Sequence, residues 1–331
     1  MTKIIAELGN THEGSVGLAK AMIKSAAECG AHIVKFQTHL FNEESLDNAP
    51  NPKYFDGESR KTYFNRTSFT REEYVVLKNY CKEMKVEFMS SPFSIKALHL
   101  LDELDAKYIK IPSGEVTNIP LLREVAKIGR RTILSSGMST YSELSLAIEE
   151  LKKNGCKDLI VMQCTSMYPC DSLKVGLNNI AKFKEDFDVD VGFSDHTTSL
   201  SIPATAAYLG ACIIEKHFTL SKQMYGSDAF NALEPAEFKE MVKNINESTL
   251  ARDNPVDKDE IALELSDMKL TFEKSLIYAS DFTKGQVLNE QSFLAKKPGS
   301  GISPMRLDKF LGKKLKKNVQ KDSLIKEGDF E

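Results

Sequence analysis

The sequence predicts an α/β protein: a (β/α)8 barrel followed by a small C-terminal domain. Three observations carry this. Eight short apolar runs alternate with eight helix-patterned segments in about 250 residues, the length such a barrel takes. A doubly wound sheet also alternates, but the number of units and the lack of a GxGxxG turn favour the barrel. Beyond residue 271 the pattern breaks into short β segments and a Gly/Pro-rich loop. The 331 residues suffice for one large and one small domain.

The elements follow in order. Lys3–Leu8 is an apolar strand carrying Glu7, and Asn10, Thr11, His12 and Gly14 form a loop. Val16–Cys29 has helical spacing and Gly30 stops it. Residues 32–37 make the second strand. Residues 38–69 are polar, with prolines and aromatics, and too long for a plain connection, so they read as an active-site excursion. Helix and strand then alternate: 70–85, 86–90, 94–104, 107–111, 119–128, 131–135, 141–154, 158–164 and a weaker helix near 174–184. Val189–Phe193, Leu200–Leu209 and Ala211–Ile214 form strand, helix and strand, and 235–250 is the last barrel helix. The barrel domain spans 1–252. Residues 253–271 are charged and weakly patterned and read as a linker, and 272–331 form the small domain, with a short helix at 305–313. The lysines from 313 to 321 read as a solvated face.

Composition narrows the function. Net charge is −3 and 27% of residues are charged, which gives no reason to expect nucleic acid. No apolar run approaches the ~20 residues of a membrane span. The chain enters its first strand at once, without a signal-peptide pattern. Six scattered cysteines without a CxxC read as reduced thiols. The expectation is a cytoplasmic protein.

The chemistry-bearing residues cluster at predicted strand ends, where barrel active sites lie. His196 and His217 end two adjacent strands, about 4.8 Å apart in such a sheet, and neutral imidazoles suit Mn, Fe or Zn. Asp195 and Glu215 flank them. Lys35 and Lys110 sit within strands, where an unpaired buried ammonium is costly. Joined by Gln37, Ser91, Ser113, Ser135 and Ser194, they describe a pocket for a small, doubly charged anion. The other reading has the lysines pairing with Glu7 or Glu115.

The stretches IIAELGNTHEG, VKFQTH, FMSSPFS, YIKIPSGE, ILSSGMST, GFSDHT, EKHFTL, LEP and KKPGSGISP, in this order, resemble the sialic acid synthase family nearly end to end. Members condense phosphoenolpyruvate with an amino sugar. The resemblance implies a barrel plus an antifreeze-like (SAF) domain, in a domain-swapped homodimer. It makes His196 and His217 the ligands of a divalent metal, Mn2+ first, with Mg2+ or Co2+ as alternatives. It assigns phosphoenolpyruvate to Lys35, Gln37, Ser91, Lys110, Ser113, Ser135 and Ser194. Glu7 matches the glutamate near the metal, and the reaction itself asks for a group to take the proton of water, for which Glu7 is placed first and Glu115 second. Asp228 is the acidic residue that meets the acceptor aldose, and Tyr168 and Lys297 join it on the acceptor side. The acceptor is an N-acetylmannosamine-like or other modified amino sugar, and the product a nonulosonic or related ulosonic acid. Departures fall on that side. Lys297 stands in KKPG where the family often has Arg, Ser166 where some members have Asn, and SDAFNALEP differs from the common form. Two alternatives are a Schiff-base pyruvate aldolase using Lys110 or Lys35, and a non-catalytic sugar-binding relative.

Overall fold

Strand residues alternate between the two faces of a sheet, and this alternation builds the barrel interior. In the computed structural model, which describes residues 2–51, 57–226 and 228–331, eight parallel strands close in sequence order. They are β1 (Lys3–Gly9), β2 (Ile33–Thr38), β3 (Glu87–Pro92), β4 (Tyr108–Ile111), β5 (Arg131–Ser135), β6 (Leu159–Cys164), β7 (Asp190–Asp195) and β8 (Ile213–His217). Ile5, Ile33, Met89, Tyr108, Ile133, Ile160, Met162 and Ile213 fill the interior as one apolar cluster. Two residues further on stand Glu7, Lys35, Ser91, Lys110, Ser135, Cys164 and Glu215. One step of the alternation thus turns an apolar plug into a polar floor. Gly192 belongs to the plug: a Cβ there would lie 2.6 Å from Ile213 Cγ2.

The outward faces bury their apolar residues against a ring of helices. Local signals set their ends. Thr70 and Thr140 form capping boxes with Glu73 and Glu143, and Gly129 ends a helix in the left-handed conformation.

Several expectations need correction. The excursion after β2 contains helices Phe41–Glu44 and Arg60–Thr67, and its residues 52–56 lie outside the described residues. The weak helix begins later, at Asn179–Phe187, after a turn of 3-10 helix at Ser172–Lys174. Gly176, at φ +68°, sits where a Cβ would come within 2.8 Å of Gln163 Nε2, so the chain turns there instead of continuing a helix. Residues 253–271 are not a plain linker. They hold helices Lys258–Glu264 and Ser266–Phe272, the first capped by Asp257. The 305–313 helix is a 3-10 helix, Pro304–Lys309.

The chain divides into two units, Met1–Asp253 and Asn254–Glu331. The second pairs β9 (Ser275–Tyr278) antiparallel with β10 (Phe293–Lys296). Leu276, Tyr278, Phe293, Phe310, Leu315 and Phe330 contribute to its own small core. Tyr278 is buried there and donates to Asp329 Oδ2 at 3.0 Å. Lys313, Lys314, Lys316, Lys317 and Lys321 are exposed. All six cysteines are free thiols. No helix among the described residues is long and apolar enough to cross a membrane.

Candidate active site

Register places the functional side chains. Glu7 pairs with Lys35 on β2 and with His217 on β8. Ser194 lies opposite Glu215, and Asp195 opposite Lys216, which sets His196 beside His217. The two imidazole centroids are 5.6 Å apart. A cavity of about 490 Å³ opens at this end, a size typical of small-molecule sites. Its walls include Glu7, Lys35, Gln37, Ser91, Lys110 and Ser113, and further round Ser135, Tyr168, Ser194, His196, His217 and Asp228.

One predicted residue of the barrel unit is not part of this lining. Glu115 lines a separate depression with Glu43, Glu44 and Lys96, and accepts from Asn118 Nδ2 at 2.7 Å. It follows Ser113 on a 3-10 turn, which points it away from the cavity that Ser113 lines. Lys297 belongs to the C-terminal unit, where it is exposed with its ammonium 4.9 Å from the Phe272 ring centroid. Asp195 also leaves the pocket: it forms a fully buried ion pair with Lys216 at 2.6 Å.

The lysines are buried and paired. Lys35 Nζ lies 2.8 Å from Glu7 and 3.3 Å from Glu215. Lys110 Nζ lies 3.0 and 3.2 Å from the two Glu215 oxygens. The partner of Lys110 is therefore Glu215, not Glu115. Lys35 also donates to Ser91 Oγ at 3.2 Å. Burial opposes charge on Glu215, but Lys110 and Lys35 outweigh it and hold its pKa at about 2. At Glu7 burial dominates, with Glu215 adding repulsion, and against the pull of Lys35 the pKa rises to about 7. Burial also opposes charge on Lys35, yet Glu215 and Glu7 keep it protonated, with a raised pKa. Two neighbouring carboxylates pushed apart in this way are the usual sign of acid–base work. Gln37 Nε2 donates to Glu7 Oε1 at 2.8 Å and fixes its direction.

Burial lowers the His217 pKa to about 4, so its ring is neutral. Its Nδ1 is buried with no hydrogen-bond partner. His196 Nδ1 lies 2.9 Å from the Thr165 carbonyl, so Nδ1 carries a hydrogen and Nε2 is the nitrogen left for a metal. An orphaned imidazole nitrogen beside a second imidazole fits a divalent ion. No group of three or more His, Cys, Asp or Glu able to hold a metal forms among the described residues. Cys164 Sγ lies 3.8 Å from His196 Nδ1. Burial opposes charge on both, but the pair holds the thiol below and the imidazole above their usual values.

Asp228 is set by backbone. Its Oδ2 accepts from Asn10 N at 3.3 Å and occupies the space a Gly9 Cβ would need, 2.1 Å from that position. Tyr168 lies with its ring 4.2 Å from that of His196. The sequence reading named no individual excursion residue, yet His39, Arg60, Tyr63 and Phe64 all reach the cavity. The only signal was the segment's length. Asn10, Met138 and Phe230 join them.

Comparison with known proteins supplies the class. The model of the SAF domain matches residues 273–331. An N,N'-diacetyllegionaminic acid synthase from Campylobacter jejuni is 37% identical over 98% of this chain and 99% of its own. A pseudaminic acid synthase from the same species is 33% identical over 99% and 96%. The crystal structure of an N-acetylneuraminic acid (sialic acid) synthetase from Leptospira borgpetersenii, in complex with citrate, superposes with a TM-score of 0.69 at 30% identity, over 80% of this chain and 91% of that one. A barrel with this pocket and an SAF domain is an enzyme of the acid-synthase type. The chain belongs to the NeuB family, whose model matches residues 22–257.

Proposed function

We propose that the protein condenses phosphoenolpyruvate with an amino aldose and water to give a nonulosonic acid and inorganic phosphate, with a divalent ion, Mn2+ first, held by His196 and His217. The observation that carries this reading is the convergence of Lys35 and Lys110, three strand serines with Ser113 of the turn after β4, and two imidazoles on one cavity. Lys35 and Lys110 neutralise the phosphate and carboxylate, and Ser91, Ser113, Ser135 and Ser194 orient them. Holding phosphoenolpyruvate C3 against the aldehyde carbon supplies much of the rate. When bound, the ion adds Lewis-acid polarisation of the aldehyde oxygen. As the C3–C1 bond forms, C2 becomes electrophilic and takes water, whose proton passes to Glu7. A base with a pKa near 7 suits that transfer. The tetrahedral centre then expels phosphate by C–O cleavage and becomes the ketone. Asp228 and Tyr168 hold the aldose.

A Schiff base needs a neutral amine, and Lys35 is held as an ammonium, so the aldolase alternative finds no support there. The three carbons from phosphoenolpyruvate bring no nitrogen. For a product like that named in the 37% identical relative, both acetamido groups come with the sugar. A diacetamido hexose is thus the first acceptor to assay, and N-acetylmannosamine the second. We also propose the swapped homodimer, in which Lys297 serves the partner's barrel. Mixing Lys297→Ala with His217→Ala chains restores turnover in that arrangement and in no other. The test of the reaction is phosphate release from phosphoenolpyruvate across a panel of aldoses, with Mn2+ and with chelator. Release that requires both an aldose and the metal supports it; release with neither overturns it.

A further inference from the structure

Three lysine or arginine side chains line the cavity, and two are paired with protein carboxylates. Lys35 faces Glu7 and Glu215, and Lys110 faces Glu215. The third, Arg60, differs. Among the described residues no hydrogen bond or ion pair engages its guanidinium. Its Nε is shielded from solvent and has no acceptor. The guanidinium carbon stands 5.7 Å from the Phe64 ring centroid, its contact among the described residues. A shielded N–H without an acceptor is uncommon, and each instance calls for an explanation.

The helix that carries it is firmly held. Its backbone N–H donates to Asn51 Oδ1 at 2.8 Å. Six residues on, Arg66 pairs with Glu13 and grips Glu58 through Nε at 3.0 Å and Nη2 at 2.6 Å. One arginine of this helix is therefore fixed by protein carboxylates, while the other lines the cavity with its Nε unpaired.

The contacts around Arg60 say which substrate it meets. Glu7 bonds Gln37, Gln37 Oε1 lies 3.1 Å from His39 Nε2, and the His39 ring stacks on Phe64 at 3.8 Å. Along this chain of contacts Gln37, His39 and Phe64 stand between Glu7 and Arg60. Its neighbourhood of Tyr63 and Phe64 is aromatic, unlike the lysine and serine floor. Such a wall suits the methyl of an acyl group with a donor aimed at its carbonyl.

We propose that Arg60 is a specificity-determining residue that binds an amide carbonyl oxygen of the acceptor sugar. This rests on the condensation reading above. The guanidinium presents several N–H groups in a planar fork, which a carbonyl with two lone pairs can accept and a lysine cannot reproduce. Acceptor binding would satisfy the donor that the free protein leaves unmet.

The test is steady-state phosphate release by full-length wild type, Arg60→Ala and Arg60→Lys. N-acetylmannosamine and a diacetamido hexose are compared with mannose, which lacks the amide. Arg60→Ala is expected to raise the KM for the acetamido sugars at least tenfold, to keep the KM for phosphoenolpyruvate within twofold, and to erase the preference over mannose. Arg60→Lys stays closer to Ala than to wild type. Thermal unfolding is expected to change little, because among the described residues the side chain gives up only its contact with the Phe64 ring. A rise in the phosphoenolpyruvate KM, an equal loss for mannose, or full recovery with lysine overturns the inference while the condensation reading stands. A wild type that releases no phosphate with any aldose overturns both.

Discussion

Lys110 and Glu215 meet across the barrel mouth, from β4 and β8, with the ammonium 3.0 and 3.2 Å from the two carboxylate oxygens. Glu215 also reaches Lys35, so one carboxylate serves both lysines of the anion pocket. Removing one partner of a buried pair costs about 3–5 kcal/mol when the other charge is left alone. In Lys110→Ala, Glu215 keeps Lys35, so the loss should sit near 3 kcal/mol by denaturant unfolding. The KM for phosphoenolpyruvate should rise about tenfold or more, near 1.4 kcal/mol, while that for the sugar moves less than about twofold. Equal effects on both substrates would make Lys110 a general structural residue.

Glu7 should give the pH profile its acid limb. Burial raises its pKa to about 7, above the ordinary carboxylate value of 4.5. The base form therefore accumulates only as pH rises through 7 and is lost below it. The kcat/KM for phosphoenolpyruvate should fall as pH drops from 8 to 6. Glu7→Gln should flatten that limb and lower the rate by about 10²–10⁴-fold. A limb that persists unchanged in the variant assigns it to another group.

Gly9→Ala should act through Asp228. The residue has φ +53°, which costs an L side chain about 1–2 kcal/mol, and its Cβ would lie 2.1 Å from Asp228 Oδ2. The aspartate must move. Kinetics should show a raised sugar KM with little change for phosphoenolpyruvate. An unchanged sugar KM would separate Asp228 from acceptor binding.

Arg66→Ala should loosen the rim of the pocket rather than its floor. Arg66 joins Glu13 of the β1 loop to Glu58 of the excursion, and Tyr225 donates to Glu58 at 3.2 Å. Partly exposed pairs contribute about 0–1 kcal/mol, so the melting temperature should hardly move. Proteolysis within 41–67 should accelerate. Wild-type resistance in the variant would show that the clamp does not hold the excursion.

Much of this was readable in advance because it is local. The strands show as apolar runs, and inward alternation carried Lys35, Lys110 and Ser135 to the mouth. His196 and His217 follow from two strand ends. What escaped depends on closure or tertiary packing. The Lys110–Glu215 pair joins residues 105 apart in sequence. Asp195 looked like a site residue because it precedes His196, yet the alternation that turns Ser194 inward turns Asp195 out toward Lys216. The helices of the excursion lack an apolar stripe, since Phe41, Tyr63 and Phe64 form a small cluster of their own. Glu115 lines a separate depression because the 3-10 turn after β4 carries it away from Ser113.

The most direct measurement of the central claim follows the bridging oxygen of phosphoenolpyruvate. With 18O at that position, an active acetamido aldose and Mn2+, condensation by C–O cleavage puts the label into inorganic phosphate, one equivalent per nonulosonic acid formed. Unlabelled phosphate, or label release that does not depend on the aldose, would contradict it.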